Sequence, residues 1–473
     1  MLFNSITFFI FLPIVFIFYW FFFKSSKEYQ NILILLASYV FYGWWDYRFL
    51  FLILLSTLVD FFTGIHIEKC KSRKTRNFFL GLSIFFNLGV LAIFKYYNFF
   101  ISAITSSFLE IGLNVNFETL NIILPVGISF YTFQTLSYTI DIWKGGLKPT
   151  RNFINFAGFV SFFPQLVAGP IERASSLLPQ FEIPRKFNSE LAISGINLMI
   201  WGLFKKVVIA DNAAVYTNVI FENYDNSNSL TLILGTVYFA FQIYCDFSGY
   251  SDIAIGTGRL FGFRLMRNFN YPYFSRNISE FWKRWHISLS TWFRDYLYIP
   301  LGGSKMNMIF TIRNILIVFL VSGLWHGANW TFILWGGIHA FLFLPVFFLK
   351  PSNSKVSGPL VLNISNILKI CFTFSMVCMA WVFFRSKNVY EAIDYLMRIF
   401  QNQEFKITYL SIERYNIELI GLILFFVIFE WFHKNSEHPF SGKFRILKIL
   451  FIIFITLVMG KFFDYKQFIY FQF

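Results

Sequence analysis

Charge is scarce in this chain. Only 14% of its 473 residues are Asp, Glu, Lys or Arg, against roughly 25% in an ordinary soluble domain. With 56% apolar residues and 69 phenylalanines, there is too little polar surface to coat a water-soluble globule. That excludes a cytosolic enzyme, a disordered chain and a secreted disulfide scaffold. Cysteine is nearly as sparse. The four present, Cys70, Cys245, Cys371 and Cys378, are scattered, with no CxxC and no Cys/His cluster at ligand spacing. Neither a disulfide framework nor a zinc site is indicated, and Cys245 reads as a small buried hydrophobe. Also missing are the GxSxG elbow, HExxH, the P-loop and GxGxxG. No histidine is followed five residues later by aspartate, which argues against the chemistry of soluble glycerol acyltransferases. Any catalysis must rest on histidine without a serine nucleophile.

What charge there is leans basic: 40 Lys and Arg against 25 Asp and Glu. The cations sit between long apolar runs, which is the positive-inside pattern of a membrane protein rather than a nucleic-acid surface. Residues 6–23 are apolar and end at Lys24 and Lys27. With no basic segment before them and no small-residue cleavage site after, they read as a retained first helix with its N-terminus outside. Segments 31–42 and 50–65 follow, then the dense basic run at 69–76, which reads as cytoplasmic. Residues 78–94 would return outward and 121–143 inward, ending near Lys144, Lys148 and Arg151. Further spans are expected at 191–210, 228–248, 309–325, 327–349, 364–384, 416–432 and 446–463, each near the length of about 20 residues that crosses a bilayer. Residues 152–170, with Pro164 and Gly169-Pro170, read as re-entrant. Residues 388–401 carry apolar positions at Ala392, Ile393, Leu396 and Ile399, as a helix lying on a surface would. The expected fold is an all-α polytopic membrane protein of about eleven transmembrane helices plus re-entrant and interfacial elements. It forms one domain over 1–473, with peripheral helices at 1–120, a core at 121–350 and C-terminal helices at 351–473.

Residues 266–305 do not fit lipid. They carry six basic residues, two acidic ones and three tryptophans, and no run in them is apolar enough to cross hydrocarbon. Ser279 offers a helix N-cap before an amphipathic stretch. If 279–298 is one helix, Lys283 and Arg294 share a face roughly 16 Å apart, a row suited to the phosphates of a donor. A Trp/Arg belt against lipid headgroups would use the same residues. Among the histidines, His66, His433 and His438 sit beside charged loops and read as interfacial. His286 lies in the basic segment. His326 lies where two apolar runs meet, at membrane depth, where an ionisable side chain is a functional candidate. His339 comes thirteen residues later, about 220° round a continuous helix, and reads as a structural core histidine off the face of His326.

The stretches Trp-Lys-Arg-Trp-His286-Ile-Ser-Leu-Ser-Thr-Trp-Phe-Arg-Asp and Leu-Trp-His326-Gly-Ala-Asn-Trp resemble the membrane-bound O-acyltransferase superfamily, and within it the alginate and peptidoglycan O-acetyltransferase membrane subunits. Matching stretches at 124–134, 162–173 and 246–262 extend the resemblance over the central half of the chain. It implies a fold built around an intramembrane tunnel, with His326 as the catalytic histidine and His286 as the second polar active-site residue. Acyl transfer from a thioester needs a base for the acceptor hydroxyl, which a neutral imidazole supplies near pH 7. It also needs a donor for the oxyanion, a role open to His286 or Asn329. A dry tunnel would keep water from the thioester. Lys283, Arg284 and Arg294 are the expected donor-binding residues. The donor would be acetyl-CoA from the cytoplasmic side, with no tightly bound cofactor and no metal.

The C-terminal Phe468-x-Tyr470-x-x-Phe473 resembles the tail of a small partner protein in teichoic-acid D-alanylation. This marks Tyr470 as a candidate acyl relay, or else as an aromatic interface anchor. The implied activity is acetylation of an envelope or extracellular polysaccharide from a bacterial cytoplasmic membrane, completed by an extracytoplasmic SGNH-type O-acetyltransferase partner. Two readings remain beside it. One is a D-alanyl transferase with a carrier-protein donor, and the other is a polysaccharide or small-solute transporter. A non-catalytic scaffold would predict that His326→Ala leaves the phenotype intact.

Overall fold

The computed structural model describes residues 1–115, 117–167, 169–349, 363–401, 416–462 and 468, and every regular element among them is helical. Among the described residues, seven helical stretches are long and apolar enough to cross a membrane: Lys27–Lys69, Arg73–Glu110, Ser189–Glu222, Ser229–Leu260, Met308–His326, Trp330–Phe348 and Ile364–Arg385. The sequence led to about eleven. Segments 31–42 and 50–65 are joined by a short 3-10 turn into one 43-residue stretch. The other expected spans are present but short. Their helices are Ile6–Ile17, Ile128–Lys144, Asn416–His433 and Arg445–Met459. The stretch expected to be re-entrant breaks at Phe162, between helices Phe153–Ser161 and Phe163–Leu166, and its residues are buried almost throughout. The surface helix forms at Val389–Gln401, burying Ala392 and Tyr395.

Two compact units are present. The first comprises Met1–Ile196 with Ile253–Met266, the second Asn197–Asp252 with Arg267–Phe473. Apolar helices gain little by meeting one another in lipid, so polar and small residues must hold them together. In the first unit, Asp60 accepts hydrogen bonds from Ser83 and from Asn87 Nδ2 (2.8 Å), and Thr135 Oγ1 donates to Asn87 Oδ1 (3.2 Å). Three helices, Leu50–Lys69, Arg73–Leu91 and Ile128–Lys144, are thereby joined through one buried carboxylate. The Arg185 guanidinium similarly reaches Tyr19 and Asn31, while Asn31 Nδ2 donates to Asn155 Oδ1 and the Phe181 carbonyl, both at 2.8 Å. Gly127, at φ +76°, brings its backbone so close to Leu166 that a Cβ would lie 2.5 Å from the Leu166 carbonyl oxygen.

The second unit buries full charges. Lys206 stands between Asp211 (2.8 Å) and Asp246 (2.7 Å), and Lys205 meets Asp252 (2.7 Å) and Ser248 (3.0 Å). Both lysines sit on a π-turn, Lys205–Ala210, a distortion frequent at functional sites. The same turn receives the end of the Arg445–Met459 helix, where Asn212 Nδ2 donates to the Met459 carbonyl (2.9 Å) and Lys461 N to that of Val207 (3.1 Å).

The tightest packing is between the helices Met308–His326 and Trp330–Phe348. A Cβ on Gly323 would lie 2.2 Å from the Phe332 carbonyl oxygen, and one on Gly336 would lie 2.3 Å from that of Phe319. Each helix thus presses a glycine against its neighbour's backbone, as small residues at membrane helix interfaces allow. Gly336→Ala should lower the unfolding temperature in detergent, in line with the roughly 1–3 kcal/mol that overpacking costs. Gly421→Ala, which meets open space, should be neutral or slightly stabilising in the same melt.

Candidate active site

His326 is the last residue of its helix, one turn past Gly323, and the glycine contact fixes where it emerges. It is 2% exposed, and its ring is enclosed by Trp325 (centroids 5.0 Å), Trp335 (5.1 Å) and Phe384 (5.4 Å). The ring of His286 lies 6.3 Å from it. The two histidines singled out in sequence, forty residues apart, therefore face one buried space.

His286 arrives there by a break in the chain. The segment 279–298 is not one helix. A short helix, Ile278–Trp282, is capped by Asn277, whose side chain accepts from Glu280 N (2.9 Å). Asn277 thus takes the capping role expected of Ser279. The chain then turns, His286 adopts a left-handed backbone (φ +42°, ψ +55°), and a new helix runs Ile287–Phe293. The shared face expected of Lys283 and Arg294 is lost with that break. Lys283 is exposed. Arg284 pairs with Glu280 (2.6 Å), which Arg276 also holds (3.1 Å). Burial alone would raise the Glu280 carboxyl, but hydrogen bonds and charge from Arg276 and Arg284 outweigh it and hold it below its usual value. Arg294 is exposed, pairs with Asp295 (2.7 Å) and lines a cavity of about 250 Å³. The rest of that wall is mostly apolar, including Trp282, Phe293 and Phe319, but it also carries Ser322, one helical turn before His326.

Asn329 caps the Trp330–Phe348 helix. Its Oδ1 accepts from Thr331 N (3.0 Å) and its Nδ2 donates to the Lys387 carbonyl (2.9 Å), so both ends of the amide are engaged. His339 differs from its wheel position because the helix is interrupted at Gly327. Its ring lies 4.8 Å from Trp335, so one indole touches both His326 and His339. Fully buried among Trp335, Trp282 (5.0 Å) and Phe281 (6.1 Å), His339 has no hydrogen-bond partner at either ring nitrogen among the described residues. Tyr470 lies outside the described residues. Phe468, two positions before it, is buried against Tyr250 (5.0 Å) and Phe247 (5.6 Å), and Phe247 packs edge-on against His286 (4.6 Å).

A residue that sequence reasoning missed is Asn268. It is fully buried, and its Oδ1 lies 3.1 Å from His286 Nδ1. Lying in an irregular stretch without periodicity, it gives no pattern to find it by.

Two buried imidazoles in an aromatic shell can move a proton in a place that excludes water. Residues 147–390 match the model of the MBOAT, membrane-bound O-acyltransferase family. The chain is 42% identical over 391 residues to the probable alginate O-acetylase AlgI of Pseudomonas aeruginosa, covering 82% of this chain and 73% of that protein. The chain belongs to the membrane-bound O-acyltransferase family. It is also 36% identical over 430 residues to the peptidoglycan O-acetyltransferase of Helicobacter pylori (84% of this chain, 79% of that one). Similarity to the teichoic acid D-alanyltransferase of Bacillus subtilis is lower, 29% over 276 residues (56% and 70%). This membrane-bound O-acyltransferase is thus a multi-pass membrane enzyme.

Burial pushes the pKa of His286 down to about 3 from 6.5. The folded protein therefore resists a proton that the unfolded chain accepts between those values, so stability should fall as pH drops below about 6.5 and continue to fall toward 3. Replacing the imidazole in His286→Gln should flatten that acid slope, as read from chemical denaturation at pH 7, 6, 5 and 4.

Proposed function

We propose that this enzyme moves an acetyl group from a cytoplasmic thioester, acetyl-CoA, toward a cell-envelope or extracellular polysaccharide from a bacterial cytoplasmic membrane. The observation that carries this is the facing pair His326 and His286 in a buried aromatic shell. It occurs in a chain similar, over 82% and 84% of its length, to an alginate O-acetylase and a peptidoglycan O-acetyltransferase. His326 takes the proton of the acceptor hydroxyl as its oxygen attacks the thioester carbonyl, and the proton passes to the departing thiolate as the C–S bond breaks. The enclosing rings hold water away from the thioester. Arg294, exposed at an apolar cavity with Ser322 on its wall, supports entry of a donor with an apolar arm and an anionic end, and Lys283 adds exposed positive charge in the same segment. Arg284, held by Glu280, is the weakest of the three donor-binding candidates.

Tyr470 is the proposed relay, receiving the acetyl group and presenting it to an extracytoplasmic SGNH-type O-acetyltransferase. What supports it is the packing of Phe468 onto Phe247, itself against His286, because two residues of chain reach about 7 Å. The D-alanyl reading with a carrier-protein donor is less well supported, since its relative matches only 56% of the chain.

Release of CoA thiol from acetyl-CoA by purified protein tests the reading. The wild type should turn over, and His326→Ala should fall by roughly 10²–10⁴-fold, the usual contribution of a general base. Labelled acetyl should appear on the C-terminal peptide and vanish from it in Tyr470→Phe. Solute flux that survives His326→Ala, without thioester turnover in either protein, would instead mark a transporter.

A further inference from the structure

The hydrogen bonds around Asn268 decide which nitrogen of His286 carries its proton. The Asn268 Oδ1 position receives the backbone N–H of Ser288 at 3.3 Å. A backbone N–H can only donate, so the amide atom it meets is the oxygen, and the amide orientation is fixed. The other end agrees, with Nδ2 donating to Ser251 Oγ at 3.3 Å. The same oxygen lies 3.1 Å from His286 Nδ1. An amide oxygen only accepts, so Nδ1 must bear the hydrogen. The Ser288 hydroxyl does not change this. It lies 2.9 Å from the Asn268 oxygen and 3.4 Å from Nδ1, so its single hydrogen goes to the oxygen. Main-chain pairing of Ile287 N with the Asn268 carbonyl (2.9 Å) locks the two segments in this register.

We infer that Asn268 is a positioning residue that holds His286 as the Nδ1–H tautomer, so that His286 meets the reacting groups through Nε2 as a hydrogen-bond acceptor and not as the oxyanion donor. A neutral imidazole has one N–H, and here it is turned toward Asn268. Burial keeps the ring neutral, with a pKa of about 3. That makes it a weak base but leaves its lone pair able to align the acceptor hydroxyl or to receive the N–H of protonated His326. The inference deepens the acyl-transfer reading above and rests on it for the identity of the reacting groups, although the tautomer itself does not. Among the described residues, the rings packed on His286 include Phe247 from the Ser229–Leu260 helix, Phe269 from the preceding stretch, and Trp325 and His326 from the Met308–His326 helix. Of these four, His326 is titratable. The carboxylates nearest along the Ser229–Leu260 helix, Asp246 and Asp252, are held by Lys206 and Lys205. The oxyanion then needs a donor elsewhere.

Ring ¹⁵N NMR of the full-length, histidine-labelled protein, with the His286 signals assigned by difference from His286→Gln, reads the tautomer without any activity assay. Protonated Nδ1 and bare Nε2 are expected in the wild type, and the reverse assignment would overturn the inference. Asn268→Asp keeps an oxygen for Ser288 and for Nδ1 but adds a charge. The His286 protonation midpoint should rise by roughly one to three units, and the acid limb of the thiol-release profile should rise with it. A folded Asn268→Asp protein with an unmoved midpoint would show that Asn268 is merely structural. Asn268→Leu should cut kcat by about tenfold or more while KM for acetyl-CoA holds. If the wild type releases no thiol, the acyl-transfer reading fails, and the NMR result still decides the tautomer.

Discussion

The backbone contact between the helices Met308–His326 and Trp330–Phe348 governs the chemistry of the second unit. Lipid offers no hydrophobic gain for bringing two apolar helices together, so their approach depends on dispersion contacts that decay within an ångström. Gly323 and Gly336 permit the closest distance available, backbone against backbone. That distance lets Trp335 on one helix lie against His326 on the other at 5.1 Å, and places His326 where its helix ends. A side chain at either glycine would part the helices and open the aromatic shell around the imidazole. Gly323 and Gly336 are thus part of the site, although neither carries a functional group.

A second constraint is that the chain has few charges and buries several of them. Lys206 serves two buried carboxylates, Asp211 and Asp246, so replacing it would take their shared cation from both in a low-dielectric interior. The set lies at a π-turn that also accepts the end of the Arg445–Met459 helix. Phe468, farther along the chain, packs on Tyr250 and Phe247. One buried cluster therefore anchors the chain that leads to the tail, and the tail's phenylalanine shares a neighbour, Phe247, with His286.

Much of this was legible in the sequence, and the failures share a cause. The spans and the surface helix follow from hydropathy and periodicity, which are local. His326 and His286 stood out through family-like motifs around ionisable residues at membrane depth or in a basic segment. Periodicity could not show that 279–298 breaks at His286, because the break is held by pairing with Asn268, eighteen residues earlier. For the same reason the face shared by Lys283 and Arg294 did not materialise. The helical wheel separated His339 from His326 only by assuming a continuous helix, and Gly327 interrupts it. Asn329 looked like a free polar donor until the helix start beside it made it a cap. Helix counts shifted because short elements such as Ile128–Lys144 extend less far than their apolar sequence does.

The left-handed backbone of His286 sets two kinds of selection against each other at a single residue. A non-glycine side chain at φ +42° is held at a standing penalty of order 1–3 kcal/mol. Glycine would adopt that conformation at no such penalty. The imidazole that strains the backbone also fills the space among Phe247, Phe269 and Trp325 and holds Asn268, so glycine there would exchange the strain for a buried cavity costing about 2–5 kcal/mol. The packing of the second histidine of the pair is thus what keeps its backbone in a conformation that it would otherwise leave.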